Sequence, residues 1–142
     1  MAVKNPGLGT VLQLKISMTY TPVSQRVSLD GPELAVGTAN TTDLDGTVET
    51  YRPTIPDSGE LSGTLYYDPQ EASTTHSTMF TAITAPSQTL NLWKLIFTDS
   101  VASTLSFSGI LTKFKPTGMT KDGNLSADFT IKVSGSPVMT HT

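Results

Sequence analysis

Apolar and polar side chains alternate along much of this chain. Leu12, Leu14, Ile16 and Met18 alternate with Gln13, Lys15, Ser17 and Thr19, the period-two pattern of a half-buried strand over Val11–Thr19. Glu60–Tyr67 repeats it, with Leu61, Gly63, Leu65 and Tyr67 opposing Glu60, Ser62, Thr64 and Tyr66. Near the end, Leu125, Ala127, Phe129, Ile131 and Val133 alternate with Ser126, Asp128, Thr130 and Lys132. Thr104–Lys113 places Leu105, Phe107 and Leu111 opposite Thr104, Ser106 and Ser108, with Gly109 marking a bulge or a close backbone approach. Thr89–Phe97 is apolar on both sides and reads as a strand covered on both faces. Glu33–Thr42 is a weaker strand, interrupted by Gly37.

Between these strands the punctuation is clear. Thr21–Gly31 reads as a loop, with Pro22 and an Asp30-Gly31 turn. Thr41–Ser58 is long and acidic, broken by Asp45-Gly46, Pro53 and Pro56; loops of that length in small domains usually carry function. One helix is predicted from Asp68 to about Ile83, with Asp68 as N-cap, Pro69 at the first position and Glu71 completing a capping box. His76, Met79, Phe80 and Ile83 share its apolar face, His76 as a boundary residue. Asp99–Ser103 and Lys115–Gly123 are turns, and Gly135–Thr142 is a tail. The resulting order lacks serial βα units, so a parallel doubly wound sheet is excluded. The prediction is a mainly β, single-domain fold over residues 1–142: an antiparallel barrel or sandwich with one flanking helix.

Composition agrees. Of 142 residues, 24 are Thr and 15 are Ser, while charged residues make up only 15%. An excess of Thr with little charge favours strands over helices and over charged disorder. Cys is absent, which removes disulfides, thiolate metal sites and cysteine nucleophiles. The two histidines are His76 and His141, too few for a His-based centre. No apolar run approaches the ~20 residues of a membrane span. Met1–Gly9 has no apolar stretch of signal-peptide type. A net charge of −3 gives no basic footprint for gripping nucleic acid.

Charge is distributed unevenly. Ser28–Glu71 holds nine acids against Arg52 alone, a net of −8; the first 27 residues carry +3 and the remainder +2. Such polarity suits head-to-tail assembly, where the acidic part of one copy meets the basic part of the next. Catalytic chemistry finds little support. Asp43-Leu44-Asp45-Gly46 is a fragment of a calcium loop without the closing Glu at the required spacing. No nucleophile elbow and no phosphate-cradling Gly-rich run is present. The chain is expected to be no enzyme and to need no cofactor or metal. More informative are the rows of small hydroxyls on the strands: Ser62 and Thr64, Ser106 and Ser108, then Ser126, Asp128 and Thr130. They read either as an ordinary solvent face or as a channel wall that offers a polyanion few cationic holds.

Several features in order resemble the major tail tube proteins of lambda-like siphophages. These are the N-terminal alternating strand, Gly31-Pro32-Glu33, a long loop containing Glu49-Thr50-Tyr51-Arg52 and Pro56-Asp57-Ser58-Gly59-Glu60-Leu61, then Tyr67-Asp68-Pro69 leading into one helix, and a closing Val133-Ser134-Gly135-Ser136-Pro137. The order carries the resemblance, which spans about Thr10 to Pro137.

The resemblance implies a barrel-like subunit that forms six-membered rings, stacked into a tube through which DNA leaves the capsid. Thr41–Ser58 would contact the neighbouring ring through Asp43, Asp45, Glu49, Arg52 and Asp57. Residues 1–9 and 135–142 would be further stacking elements, disordered until assembly. The lumen would be lined by Glu33–Thr42, Glu60–Tyr66, Thr104–Lys113 and Asn124–Val133, with Ser62, Thr64, Ser106, Ser108, Ser126, Asp128 and Thr130 facing it. Lys4, Lys15, Lys113, Lys115 and Lys121 would form a basic assembly edge. Implied partners are further copies of the chain, a tape measure protein, a tail terminator and distal tail proteins, with DNA passing unbound and no membrane involved. The extra immunoglobulin-like domain of many relatives is not expected. Contractile tails, tailocins, gene-transfer particles and type VI secretion tubes share the architecture. The competing readings are a capsid decoration or surface-adhesion sandwich, and a lipocalin-like or sugar-binding barrel, which the low aromatic content disfavours.

Overall fold

The computed structural model describes residues 6–16, 18–71, 74–84 and 90–141. Their elements are β1 (Val11–Ile16), β2 (Thr19–Pro22), β3 (Arg26–Asp30), β4 (Ala35–Asn40), β5 (Tyr51–Asp57), β6 (Glu60–Tyr66), α1 (Thr75–Thr84), β7 (Asn91–Ile96), β8 (Thr104–Thr117) and β9 (Ser126–Thr140). Seven strands form one antiparallel sheet in the order β2-β1-β7-β8-β9-β6-β3, and β4 pairs with β5 in a separate two-stranded sheet. No described helix is long and apolar enough to cross a membrane.

The sheet must curl. Its edge strands, β2 and β3, are joined by only Val23, Ser24 and Gln25. A flat sheet of seven strands would hold its edges about 29 Å apart at the usual strand spacing. The link from Pro22 to Arg26 spans at most about 14 Å. Curling brings the edges together at that corner, yet no ladder joins them, so the barrel stays open. Inside lie Leu12, Leu14, Leu61, Leu65, Trp93, Leu95, Phe107, Phe129 and Ile131, with Met79 from α1.

Strand alternation was read correctly in kind, while several boundaries moved. The expected loop at Thr21–Gly31 contains the end of β2 and all of β3. Both strands are short and mostly exposed, so they lack the apolar alternation that would have revealed them. The second half of the expected Thr41–Ser58 loop is β5. The expected tail from Gly135 is the continuation of β9, which runs to Thr140. Glu33–Thr42, expected among the lumen-lining strands, contributes β4, which sits outside the large sheet, where β3 is the neighbour of β6. On β7 only the Trp93 and Leu95 side is buried, and Leu92 is partly exposed.

The helix also starts later than the capping signal placed it. Asp68 caps a tight turn instead: its carboxylate accepts the Gln70 N–H at 3.0 Å and its carbonyl the Glu71 N–H at 3.2 Å. Glu71 still serves the helix, since its carboxylate accepts the His76 N–H at 2.7 Å. His76 is fully buried rather than a boundary residue, whereas Phe80 points largely to solvent.

Gly109 marks a close approach. A Cβ there would lie 2.9 Å from the Lys132 carbonyl oxygen and 2.8 Å from the Ile131 side chain. The β8–β9 irregularities fall on either side of it, between Ser106 and Ser108 and between Leu111 and Lys113.

Candidate assembly surface

The second irregularity decides what the polar face contains. Leu111 is buried and Phe114 packs partly against the core, three positions apart. Strict alternation cannot turn both inward, so one extra residue is accommodated as a bulge. Before the bulge, Ile110 pairs with Lys132; after it, Lys113 pairs with Thr130, Lys115 with Asp128 and Thr117 with Ser126. Lys113 and Lys115 therefore stand on the same face as the hydroxyl row of β9.

That row continues across β6 and β3. Thr130 pairs with Ser62 and Asp128 with Thr64. Ser62 in turn pairs with Asp30, and Thr64 with Ser28. Two cross-strand rows result: Lys113–Thr130–Ser62–Asp30 and Lys115–Asp128–Thr64–Ser28. Thr64 Oγ1 donates to Asp128 Oδ1 at 2.9 Å, which orients that carboxylate. Ser126 lies opposite Tyr66 on the same face. Ser106 and Ser108 belong to the first half of β8, opposite Val138 and Ser134. All seven residues expected to face a lumen thus lie on the polar side of the sheet, five of them on β6 and β9 and two on the first half of β8.

This wall has two open edges. Among the described residues, the ladder from β7 reaches β8 only over Thr104–Gly109, and Ile110–Thr117 is bonded to β9 alone. Pro116 lies in that stretch, as prolines do where no ladder must be supplied. At the far side, β3 is bonded to β6 alone. The β8 edge carries Lys113 and Lys115, and the β3 edge carries Asp30. Among the described residues neither lysine has a carboxylate partner, and the lysine–carboxylate ion pair is Lys132 with Asp57 at 3.6 Å.

The expected basic edge is split accordingly. Lys121 lies in the turn between β8 and β9. Lys15 is on β1, near Lys94, and the two ammonium groups lie 5.8 and 4.3 Å from the ring centre of Tyr20. Lys4 falls outside the described residues.

The β4–β5 hairpin stands apart. Every residue of β5 is exposed, and β4 is nearly so. Its tip is clasped by threonines: the Thr41 N–H donates to the Thr50 carbonyl at 2.8 Å, and the Thr50 N–H to Thr42 Oγ1 at 2.7 Å. Asp43 and Asp45 lie at the tip, and Glu49 accepts the Tyr51 hydroxyl at 2.6 Å, which raises that phenol above its usual range. Arg52 is on β5, opposite Ala39. Asp57 ends the strand; the Gly59 N–H, and then Lys132, hold its carboxyl below the usual range. A cleft of about 560 Å³ opens where the hairpin joins the wall, lined by Glu33, Asp57, Glu60, Ser62 and Thr130 among others.

Charge reasoning overlooked the hairpin's apolar residues. Leu44 and Ile55 are at least 90% exposed, and Val48, Leu34, Val36 and Tyr51 are more than half exposed. A two-stranded sheet with no core of its own is marginal in water, and so many exposed apolar side chains together are unusual for a monomer surface. Apolar residues within an acidic, unpatterned stretch were the available signal.

No family model and no curated protein matches this sequence. Solved structures do match. A chain of the anti-feeding prophage baseplate superposes with a TM-score of 0.79 over 99% of this chain and 98% of its own length, at 7% identity. A chain of the tail of a gene transfer agent particle gives 0.73 over 96% and 99%, at 12% identity. The tail tube of SPP1 gives 0.72 over 98% and 80%, at 9% identity. The chain has the tail tube fold. The similarity spans the curled sheet, the helix α1 and the projecting hairpin together.

Proposed function

We propose that this protein is the structural subunit of a phage-type tail tube. Copies associate side by side into rings, six to a ring, and rings stack into a tube that conducts DNA. The role is architectural, with no catalytic step, and the protein resides in the tail of the particle.

The observation that carries the reading is the wall β3-β6-β9-β8, whose two sides, a basic one on β8 and an acidic one on β3, are open among the described residues. Its four strands alternate in direction, so β3 runs antiparallel to β8. Rotating one copy about an axis along the strands preserves direction. It brings β3 of the next copy antiparallel to β8 of the first, with Asp30 on the side of Lys113 and Lys115. Each added copy extends the sheet by four strands, and closure of the ring leaves no open edge. The six-fold symmetry of the baseplate and tail structures with this fold supports six copies.

Stacking falls to the hairpin, which projects Leu44, Val48 and Ile55 with the acids around them. The polar side of the wall then lines the channel. Its hydroxyls offer phosphate only weak, exchangeable contacts, and its lysines are balanced by Asp30, Glu60 and Asp128. Chains of the same fold occur in a baseplate, a sheath and tube terminator and a tube-terminating cap. By analogy the tube of this protein ends against a terminator at one end and distal tail proteins at the other, with a tape measure protein inside.

Negative-stain microscopy of the purified protein across a concentration series tests the reading. Rings or tubes with an axial channel are expected. Uniform small particles at every concentration and ionic strength would overturn it in favour of a decoration or adhesion module.

A further inference from the structure

The corner between β2 and β3 is held by a buried polar cluster that the assembly surface does not itself use. Glu71 and His76 are at most 8% exposed. One oxygen of the Glu71 carboxylate accepts the Ser24 hydroxyl; the other accepts the Thr75 hydroxyl and the His76 N–H. The Asp68 N–H donates to His76 Nδ1 at 3.1 Å, so the imidazole proton sits on Nε2, which donates to the Ser24 carbonyl at 2.9 Å. Ser24 is thus gripped twice, through its hydroxyl by Glu71 and through its carbonyl by His76.

The neighbours of Ser24 are held as well. Val23 is fully buried, its N–H donates to the Leu12 carbonyl at 2.8 Å, and its own carbonyl accepts from the Arg26 guanidinium. The Gln25 carbonyl accepts the Tyr66 N–H at 2.8 Å. Gln25 adopts a φ of 59°, a left-handed conformation that an ordinary residue keeps only when its surroundings hold it. The three-residue seam therefore has a fixed geometry, and β3 leaves it directly.

We infer that Glu71 and His76 are positioning residues for β3: they hold the seam from behind and so set the orientation of the edge that receives the neighbouring copy. The inference rests on the ring reading for its consequence in assembly, but the lock on β3 stands on the monomer alone. Its physical content is coupling. β3 has one ladder partner and few buried side chains, so without the seam it is a strand of low local stability. The helix start and the seam share a single carboxylate, so loss of that carboxylate loosens both.

Amide hydrogen exchange on the monomer, combined with tube yield, tests this. Glu71→Ala is expected to accelerate exchange in β3 by about ten-fold while β8 and β9 amides keep their protection. Tube yield should fall in the same variant. Glu71→Gln, which keeps one accepting oxygen for the His76 N–H, should lie between. Should Glu71→Ala fail to fold, Ser24→Ala removes only the hydroxyl grip and is read in the same way. Unchanged β3 exchange overturns the inference, and so does equal acceleration in every strand, which would mean general destabilisation. Loosened β3 with full tube yield overturns the link to assembly. Absence of tubes from the unsubstituted chain would count against the ring reading, with the exchange result still deciding the lock.

Discussion

Lys115 stands directly opposite Asp128 across the β8–β9 ladder, on the polar side of the sheet. Without the bulge between Leu111 and Lys113, alternation would turn Lys115 toward the core. One extra residue thus reconciles two demands: Phe114 reaches the edge of Tyr67 at 5.2 Å between ring centres, and the two lysines reach the open edge. The bulge sits beyond the described ladder from β7, which meets β8 over Thr104–Gly109.

Ring closure through oppositely charged edges makes a charge-swap prediction. Lys113→Glu with Lys115→Glu should abolish rings and tubes, because like charges would then face each other across the new ladder. Both residues are exposed, and the one intramolecular cost is Lys115→Glu opposite Asp128, so the monomer should stay folded with a melting temperature lower by only a few degrees. Adding Asp30→Lys to that variant should restore part of the assembly. Sedimentation velocity and microscopy of the three proteins give the answer; failure of the triple variant to recover any rings would argue against this edge pairing.

The hairpin is predicted to act through apolar contact as much as through charge. Leu44→Ser with Ile55→Ser should leave single rings but stop stacking, since each side chain loses about 1.5–3 kcal/mol of burial at the contact. Asp43→Lys with Asp45→Lys should also block tube growth while the monomer stays folded. Electron microscopy distinguishes rings from tubes in both variants, and normal tubes from the serine variant would remove the apolar role.

Gly63 reports on the β3–β6 pairing. A Cβ at this position would lie 2.6 Å from the Ser28 carbonyl oxygen and 2.9 Å from the Phe129 ring. Gly63→Ala should therefore cost about 1–3 kcal/mol through overpacking, despite adding one methyl group. Phe129→Ala, which empties a fully packed site, should cost about 3–5 kcal/mol. Urea denaturation of both variants checks the ordering.

Acid should loosen the end of β9. Asp99 accepts the Ser103 hydroxyl at 2.5 Å and the Ser103 N–H at 2.6 Å, and these bonds hold its carboxyl below the usual range. The Ser103 hydroxyl also meets His141 Nδ1 at 2.8 Å, tying the chain end to the β7–β8 turn. A depressed folded pKa means stabilisation that is present above the ordinary carboxylate value and lost as pH falls through the folded one. Protection of the turn amides should stay constant from neutral pH down to about pH 4 and decline below it. In Asp99→Asn that acid-dependent decline should be absent; the same decline in both proteins would exclude Asp99 as its source.

The strands with an apolar side were legible because burial imposes a period of two, and Leu12, Leu14, Leu61, Leu65, Phe129 and Ile131 obey it. The hydroxyl rows were legible for the same reason, as the complement of that pattern. β3 and β5 were not: neither buries a continuous face, so local sequence carries no periodic trace of the ladders that define them. Glu71, expected in the first turn of the helix, instead caps it from outside, and its second role at Ser24 joins residues 47 positions apart. The sequence by itself determined the mainly β class, the single helix, the polar face and the charge polarity. Tertiary structure alone decided that Lys113 and Lys115 share a face with Asp128 and Thr130, that β3 rather than β4 flanks β6, and that among the described residues both sides of the wall are open. Those facts depend on register and on a bulge, which follow from how distant strands pack together and leave no signature in the order of residues along one of them.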